Sequence, residues 1–420
     1  MLQVDHVYEF FYQTLFKKFS IHSLRNGVFT NTKINWSDQC IFNWDYTDSK
    51  IFFVDQEPIL RKFLESHLEY FTFPNPKSFH NSAELFIKLN NTNRIDLTIG
   101  YPLSEDKISQ IQKNNQILFK TPVALIVSEY SNLVNDIGKE YNLNILYYFF
   151  HGFAALDWYR GFYALNYNKS VVREYQYDFI SFNRLVTTDR SYRCYFVSKL
   201  IEKKLINHGQ ISFGLDTDDN NWQTEINSQE TKLSNNAISH IKTYLPLINT
   251  PLVVDFNSIP GYASADIPRQ VTNSFWHIVT ETVFYYNKLH LTEKIFKPIV
   301  MKQPFMLLAG PGNLEYLQSY GFKTFNGIID ESYDKKVNPD DRIESVVDQL
   351  NWYCNLTSLE KLDIMKRVEP IVEYNFHHFY GEFKHIIATE LLDNSKELFK
   401  KIGYDDSTIA YSDIYKTLVN

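Results

Sequence analysis

The sequence predicts an α/β protein built from two domains, and three features support this. Short apolar runs end in polar or Gly/Pro turns and are followed by segments with helical periodicity, which is typical of buried parallel strands. The chain has 420 residues, more than the ~250 residues at which single hydrophobic cores usually stop growing. Aromatic residues make up 16% of it, which argues against a disordered chain because such chains are poor in aromatic groups.

The candidate strands fall into two series. Those of the first half are 51–54, 95–99 and 123–127, and those of the second half are 179–182, 252–254 and 304–309. The polar segment 166–174 separates the two series and is the expected linker. We therefore expect an N-terminal domain over 1–168, a C-terminal domain over 169–375, and a helical segment over 376–420 that can pack back on the first domain.

A long amphipathic helix is predicted after Pro339. Apolar residues recur there at three- and four-residue spacing, at Ile343, Val346, Val347, Leu350 and Tyr353. This spacing places them on one face, which a helix buries against a core. Further helix is expected from there to the C-terminus.

Composition limits where the protein works and what it binds. The net charge of −7 disfavours a protein whose whole surface grips nucleic acid. The cysteines Cys40, Cys194 and Cys354 form neither a disulfide framework nor a CxxC metal pattern, which fits a reducing cytoplasm. The N-terminus lacks the apolar core of a signal peptide, and the most apolar stretch, 145–156, is too short for a bilayer. We expect a cytoplasmic protein without a transmembrane segment.

The tripeptide Thr292-Glu293-Lys294 is the most informative motif. Thr292 can cap a helix whose free N–H groups and dipole favour an anion. Lys294 and Lys297 add positive charge, and Glu293 can accept hydrogen bonds from two ribose hydroxyls. A nucleoside diphosphate satisfies all of these groups. The alternative is an ordinary capping threonine followed by solvated charges.

The surroundings of this motif resemble a known family. The acidic residue Glu281 in the segment 279–282 is followed by a loop, by Thr-Glu-Lys opening a helix, and by an apolar strand ending in Gly-Pro. This order resembles the donor site of the α1,3-fucosyltransferases. The string TEKIFKPIVMKQPFMLLAGPG is also similar to phage-encoded and bacterial glycosyltransferases. The resemblance covers about residues 178–330.

The resemblance implies a GT-B fold, in which a nucleotide-sugar cleft lies between two Rossmann-like lobes. It implies inverting transfer, with Glu293 on the ribose and Lys294 on the phosphates, and it adds Glu281 and Thr292 to the site. The family also brings an arginine to the diphosphate after an early strand of this lobe, which points to Arg184 and Arg190. An arginine fork pairs with two phosphate oxygens and keeps its charge. Solvated charges at a helix entry are the alternative for both arginines.

The catalytic base is expected in the first domain. Asp55 and Glu57 follow the candidate strand 51–54, and side chains just beyond the carboxyl ends of parallel strands face the ligand crevice. His151, inside an apolar run, is the rival base. A capped turn at Asp55 and a hydrogen-bonded core histidine are the alternatives.

No cofactor or metal is expected, since the nucleotide-sugar is itself the donor substrate. The acidic run 216–219 resembles a DxD metal motif but lies among polar residues typical of an exposed loop. The motifs GxGxxG, GxxxxGK[ST] and GxSxG are absent from the sequence. Nicotinamide oxidoreductases, P-loop NTPases and serine hydrolases therefore lack support.

The sequence thus predicts a metal-independent, inverting hexosyl- or pentosyltransferase. Its acceptor is the hydroxyl of a saccharide or, in a phage-type enzyme of the host cytoplasm, of a hydroxymethylated base in DNA. Cations that could hold DNA are scattered along the chain rather than clustered. A non-catalytic nucleotide- or glycan-binding protein stays open as a different class of function.

Overall fold

The computed structural model describes seven short strands before residue 128 and most of the chain from residue 143 onward. The described ranges are 22–23, 28–30, 33–35, 51–53, 71–72, 118–119, 123–127, 143–159, 175–214, 221–229, 231–248, 269–285, 287–401 and 406–419. The predicted strands 95–99 and 252–254, the linker 166–174 and the acidic run 216–219 lie outside them.

The chain divides into two compact units. Unit 1 comprises Met1–Asp157 and Lys384–Asn420, and unit 2 comprises Trp158–Phe383. The domain limits at 168 and 375 stay predictions of the sequence.

Unit 1 contains a parallel four-stranded sheet and two antiparallel strand pairs. Its strands are β1 His22–Ser23, β2 Val28–Thr30, β3 Lys33–Asn35, β4 Ile51–Phe53, β5 Phe71–Thr72, β6 Leu118–Phe119, β7 Val123–Val127 and β8 Leu143–Tyr147. The sheet order is β1-β4-β7-β8, while β2 pairs with β3 and β5 pairs with β6. The strand predictions at 51–54 and 123–127 are confirmed, because β4 and β7 lie within these runs.

Helix α1, Phe150–Trp158, follows β8. Unit 2 then has a second parallel sheet. Its strands are β9 Tyr177–Asn183, β10 Gly209–Phe213, β11 Ser274–Thr280 and β12 Phe305–Leu308, in the order β10-β9-β11-β12. All seven residues of β11 are buried, as expected for a central parallel strand. The predictions at 179–182 and 304–309 are confirmed by β9 and β12, and with them the α/β class.

The described helices that follow α1 belong to unit 2 as far as Phe383 and to unit 1 beyond it. They are α2 Tyr192–Glu202, α3 Trp222–Asn227, α4 Asn235–Tyr244, α5 Arg269–Thr272, α6 Glu293–Val300, α7 Asn313–Ser319, α8 Pro339–Cys354, α9 Ser358–Tyr380, α10 Glu382–Lys401 and α11 Tyr411–Val419. The predicted amphipathic helix is α8, and its five apolar positions are buried. None of the described helices combines the length and apolar character needed to cross a lipid bilayer.

An aromatic cluster fixes α6 in unit 2. The ring of Phe296 on α6 lies 5.8 Å from Phe322, 5.4 Å from Phe379 and 5.3 Å from Phe383, measured between ring centres. The neighbouring Ile295 and Ile299 are also buried. Offset and tilted aromatic pairs add to the hydrophobic free energy of burial. The start of α6 is therefore held on a rigid support.

Candidate functional site

The carboxyl ends of three strands of unit 2 meet at one edge of its sheet. The Oγ1 of Thr280, which ends β11, donates to Phe182 O on β9 at 3.1 Å. The next residue, Glu281, donates its backbone N–H to Leu308 O at the end of β12 at 2.9 Å. In parallel sheets this edge is where ligands bind. The loops 184–190, 281–292 and 309–312 therefore begin side by side.

Glu281 lies inside the protein at this edge, with an exposed fraction of 0%. Its Oε1 accepts from Thr292 N at 3.1 Å, and its Oε2 accepts from Thr292 Oγ1. Oε2 also accepts from Thr282 N at 3.3 Å. Both carboxylate oxygens are thus engaged by the chain, so Glu281 fixes the residue that begins α6.

Thr292 caps α6, as the sequence predicts. Its backbone is extended (φ −106°), and its Oγ1 accepts from Lys294 N at the long distance of 3.4 Å. The same oxygen donates its proton to Glu281. The threonine hydroxyl therefore links the buried carboxylate to the first turn of the helix, where N–H groups without intrahelical partners accumulate.

The ammonium of Lys294 is held by three oxygens. Nζ lies 3.2 Å from Thr282 Oγ1, 3.1 Å from Thr292 Oγ1 and 3.0 Å from Glu293 Oε1. The side chain of Lys294 is 35% exposed and that of Glu293 16%. Two of the three partners are neutral hydroxyls and the third is the carboxylate of Glu293, so an incoming anion competes only with Glu293 for the charge of the ammonium. The positive end of the α6 dipole acts in the same direction.

Lys297 lies one turn further along α6. Its Nζ is 4.8 Å from the centre of the Phe182 ring, which belongs to β9. Burial, assisted by the charge of Lys297, lowers the pKa of His277 on β11 to about 3. His277 is therefore neutral at pH 7, and its Nδ1 pairs with Gln303 Oε1 at 3.1 Å. Lys294 and Lys297 together bring two cations to this edge of the sheet.

The loop after β9 carries the predicted phosphate-binding arginines. Arg184 is exposed and Arg190 is half-buried. Arg193, which the sequence analysis did not select, is buried and donates to Leu185 O at 2.8 Å and to Thr280 O at 2.6 Å. It ties the loop to the end of β11. The signal that could have found it was its position as the second residue of α2, between Tyr192 and Cys194, which are also buried.

Thr188 in this loop has an uncommon backbone conformation. Its φ is +56°, in the left-handed region that β-branched residues rarely adopt. The Oε2 atom of Glu225 accepts from Thr188 N at 2.7 Å and holds the residue there. Burial raises the pKa of Glu225 above its usual range. Such strain often occurs at functional sites, and here it shapes the segment between Arg184 and Arg190.

The Gly-Pro-Gly turn after β12 is organised by Asn313, which is fully buried. Its Nδ2 donates to Lys288 O at 2.7 Å and to Gly310 O at 2.8 Å, and its Oδ1 accepts from His290 N at 2.8 Å. Asn313 therefore joins this turn to the loop that leads into Thr292. Sequence reasoning missed it because an asparagine at a helix start reads as an ordinary capping residue.

The structure brings together Glu281, Thr292, Glu293 and Lys294 through direct contacts, with Lys297 on the same helix. Arg184 and Arg190 lie in the loop that follows the neighbouring strand. His151 is buried on α1 in unit 1. Asp55 and Glu57 lie outside the described residues.

The chain was compared with protein-family models and with curated proteins. No protein-family model matches the chain, and no curated protein is significantly similar to it. The chemistry of the site therefore carries the functional argument.

Proposed function

We propose that this protein is a glycosyltransferase whose unit 2 binds a nucleotide-sugar donor at the start of α6. The observation that carries the proposal is the Lys294 ammonium, partly exposed and surrounded by Thr282, Thr292 and Glu293 at a capped helix start. A cation held by hydroxyls beside helix N–H groups suits a phosphate.

Donor binding would rearrange one existing contact. When the diphosphate takes the Lys294 ammonium, the 3.0 Å contact between that ammonium and Glu293 Oε1 weakens. The carboxylate of Glu293 then accepts hydrogen bonds from ribose hydroxyls. Each charged group exchanges one partner for another, so the cost of desolvating charge stays small.

Arg184, Arg190 and Lys297 complete the cationic surroundings of the diphosphate in this proposal. Their charges stabilise the negative charge that grows on the leaving group. We assign Glu281 a positioning role instead of direct contact with the donor, because both of its oxygens already hold Thr292.

The proposed reaction is an inverting, metal-independent transfer in a GT-B enzyme, with unit 2 as the donor lobe and unit 1 as the acceptor lobe. A base, chosen from Asp55, Glu57 and His151, takes the proton of the acceptor hydroxyl. The oxygen forms a bond to the anomeric carbon, and the bond from that carbon to the phosphate oxygen breaks. The nucleoside diphosphate leaves with the electron pair.

The acceptor is a saccharide or a hydroxymethylated base in DNA. Duplex binding that weakens steeply as salt rises would favour DNA, because phosphate contacts release counterions. Duplex binding too weak to detect at low salt would favour a saccharide.

The experiment that tests the function is donor turnover. The protein is incubated with a panel of sugar nucleotides, with and without saccharide acceptors, and released nucleoside diphosphate is measured. We expect release from one nucleotide type, strongly reduced in Lys294→Ala and unchanged in Lys366→Ala, an exposed lysine on α9. Asp55→Asn, Glu57→Gln and His151→Gln identify the base. Normal turnover in Lys294→Ala, or no release from any donor under these conditions, would overturn the assignment.

A further inference from the structure

Three metal-binding side chains meet at the amino ends of β9 and β10 in unit 2. They are Asp178 on β9, His208 at the end of the 3-10 turn Leu205–His208, and Cys354, the last residue of α8. Their ligand atoms all lie within 4.8 Å of one another. We propose that these three side chains form a binding site for Zn²⁺.

The fold places these residues together although they are far apart in the sequence. Gly209 on β10 pairs with Phe179 on β9, so the preceding residues, His208 and Asp178, are neighbours across the two strands. A Cβ atom on Gly209 would lie 2.3 Å from the Phe179 ring, so the glycine permits this close approach. The cluster lies at the amino ends of the strands, opposite the carboxyl ends that carry the candidate donor site. It is therefore a separate site.

The donor set suits zinc. A thiolate, an imidazole and a carboxylate are the ligands that Zn²⁺ takes in proteins, and three protein ligands leave one position for water. Bonds of about 2.0–2.3 Å set tetrahedral ligand atoms about 3.3–3.8 Å apart. The contact between His208 Nδ1 and Asp178 Oδ2 is 2.9 Å, and the widest separation in the cluster is at most 4.8 Å. Shifts of about an ångström in the ligand atoms would therefore give the separations of a tetrahedral zinc site.

The three side chains differ in their exposure to solvent, so two of them are fixed and the third leaves a path for the metal. Cys354 is buried and the Asp178 side chain is 16% exposed, so these two ligands are fixed within the fold. The side chain of His208 is 44% exposed and can move toward the metal. The metal would reach the cluster from the solvent side of His208.

The cluster already attracts a cation of the chain itself. The Nζ atom of Lys361 lies 2.6 Å from Asp178 Oδ1 and 3.4 Å from Cys354 O. Zinc would displace this ammonium from the carboxylate toward solvent. The Cys354 thiol would lose its proton to solvent as the zinc–sulfur bond forms, and His208 would carry its proton on Nε2. One thiolate and one carboxylate then balance the two charges of the ion.

Titration calorimetry with Zn²⁺, together with the absorption of the Co²⁺ complex, tests the site. We expect one metal ion per chain and a thiolate-to-cobalt charge-transfer band. Replacing a direct ligand should cost at least the ~10–100-fold in affinity typical of outer-shell partners. Cys354→Ser should show this loss and lack the band, whereas Cys194→Ser, which alters another buried cysteine, should match the wild type.

Two further variants distinguish a loss of Zn²⁺ binding from a folding defect. His208→Ala changes an exposed residue and should weaken Zn²⁺ binding while the metal-free melting temperature stays near that of the wild type. Lys361→Gln removes the competing ammonium and should tighten Zn²⁺ binding. The proposal is overturned if Zn²⁺ does not bind the wild type, or if Cys354→Ser and His208→Ala bind it like Cys194→Ser.

Discussion

The contact between Glu281 and Thr292 determines where α6 begins. A buried carboxylate needs hydrogen-bond donors, and Thr292 supplies two of them from its backbone and side chain. Tyr192 adds a third restraint, since its hydroxyl donates to Glu281 O at 2.6 Å. At the residue scale, the candidate site therefore depends on one acid that solvent does not reach.

Glu281→Gln tests this dependence. In the wild type, N–H and O–H donors face the carboxylate oxygens of Glu281. Glutamine places an N–H₂ group opposite such donors, so one buried hydrogen bond is lost. We expect a loss of about 1–3 kcal/mol in the free energy of unfolding, measured by urea denaturation. Glu369→Gln, at an exposed position of α9, is the control. Equal stability of the two variants would contradict the role given to Glu281.

His277 makes stability depend on pH. Its pKa is lowered to about 3, chiefly by burial, against about 6.5 in the unfolded chain. Between these values the unfolded chain binds a proton that the folded protein does not, so this contribution to stability is lost as pH falls below about 6.5. Burial raises the pKa of Asp334 to about 6 and acts in the opposite direction.

A comparison with His277→Gln isolates the histidine from such other groups. Urea denaturation at several pH values should show that the wild type loses more stability than the variant between pH about 6.5 and 4.5. The difference should approach about 1.4 kcal/mol per pH unit, the value for one proton. Parallel pH profiles for the two proteins would refute the assignment.

At the scale of elements, α6 joins a polar start to an apolar face. Phe296 anchors that face in the aromatic cluster, while the polar start comprises buried Thr292 and partly exposed Lys294. The sequence predicts both the polar start and the apolar face of α6, because the capping residue and the apolar spacing lie within nine residues. It does not predict that Asn313 and Arg193 tie the neighbouring loops together. Those contacts depend on strand order, which local patterns do not encode.

Thr292→Ala and Thr292→Ser separate the hydroxyl of the cap from its size. Alanine removes the hydroxyl that links Glu281 to the helix, and we expect a loss of about 1–3 kcal/mol in the free energy of unfolding. Serine keeps the hydroxyl and should lose less than half as much. Circular dichroism during urea denaturation measures both variants. A serine variant as unstable as the alanine variant would show that the methyl group, and not the hydroxyl, matters.

At the scale of the whole molecule, the sequence predicts the strands that are short, mainly apolar runs bounded by turn residues. The apolar runs of β7, β9 and β12 identify them. Strand β10 escaped prediction because its sequence, GQISF, is only partly apolar. The cluster of Asp178, His208 and Cys354 escaped too, since no motif spacing connects its members. Parallel pairing brings such distant residues together, both there and at the start of α6.

The central claim is that the start of α6 binds the diphosphate of a sugar nucleotide, and the affinity of Lys294→Ala tests it most directly. A thermal-stability screen first selects the nucleoside diphosphate that raises the melting temperature most. Calorimetry then gives its dissociation constant for the wild type, Lys294→Ala and Lys366→Ala. We predict binding about 10- to 100-fold weaker in Lys294→Ala, the value of one charge-assisted hydrogen bond, and unchanged in Lys366→Ala. Equal affinity in all three proteins would contradict the claim.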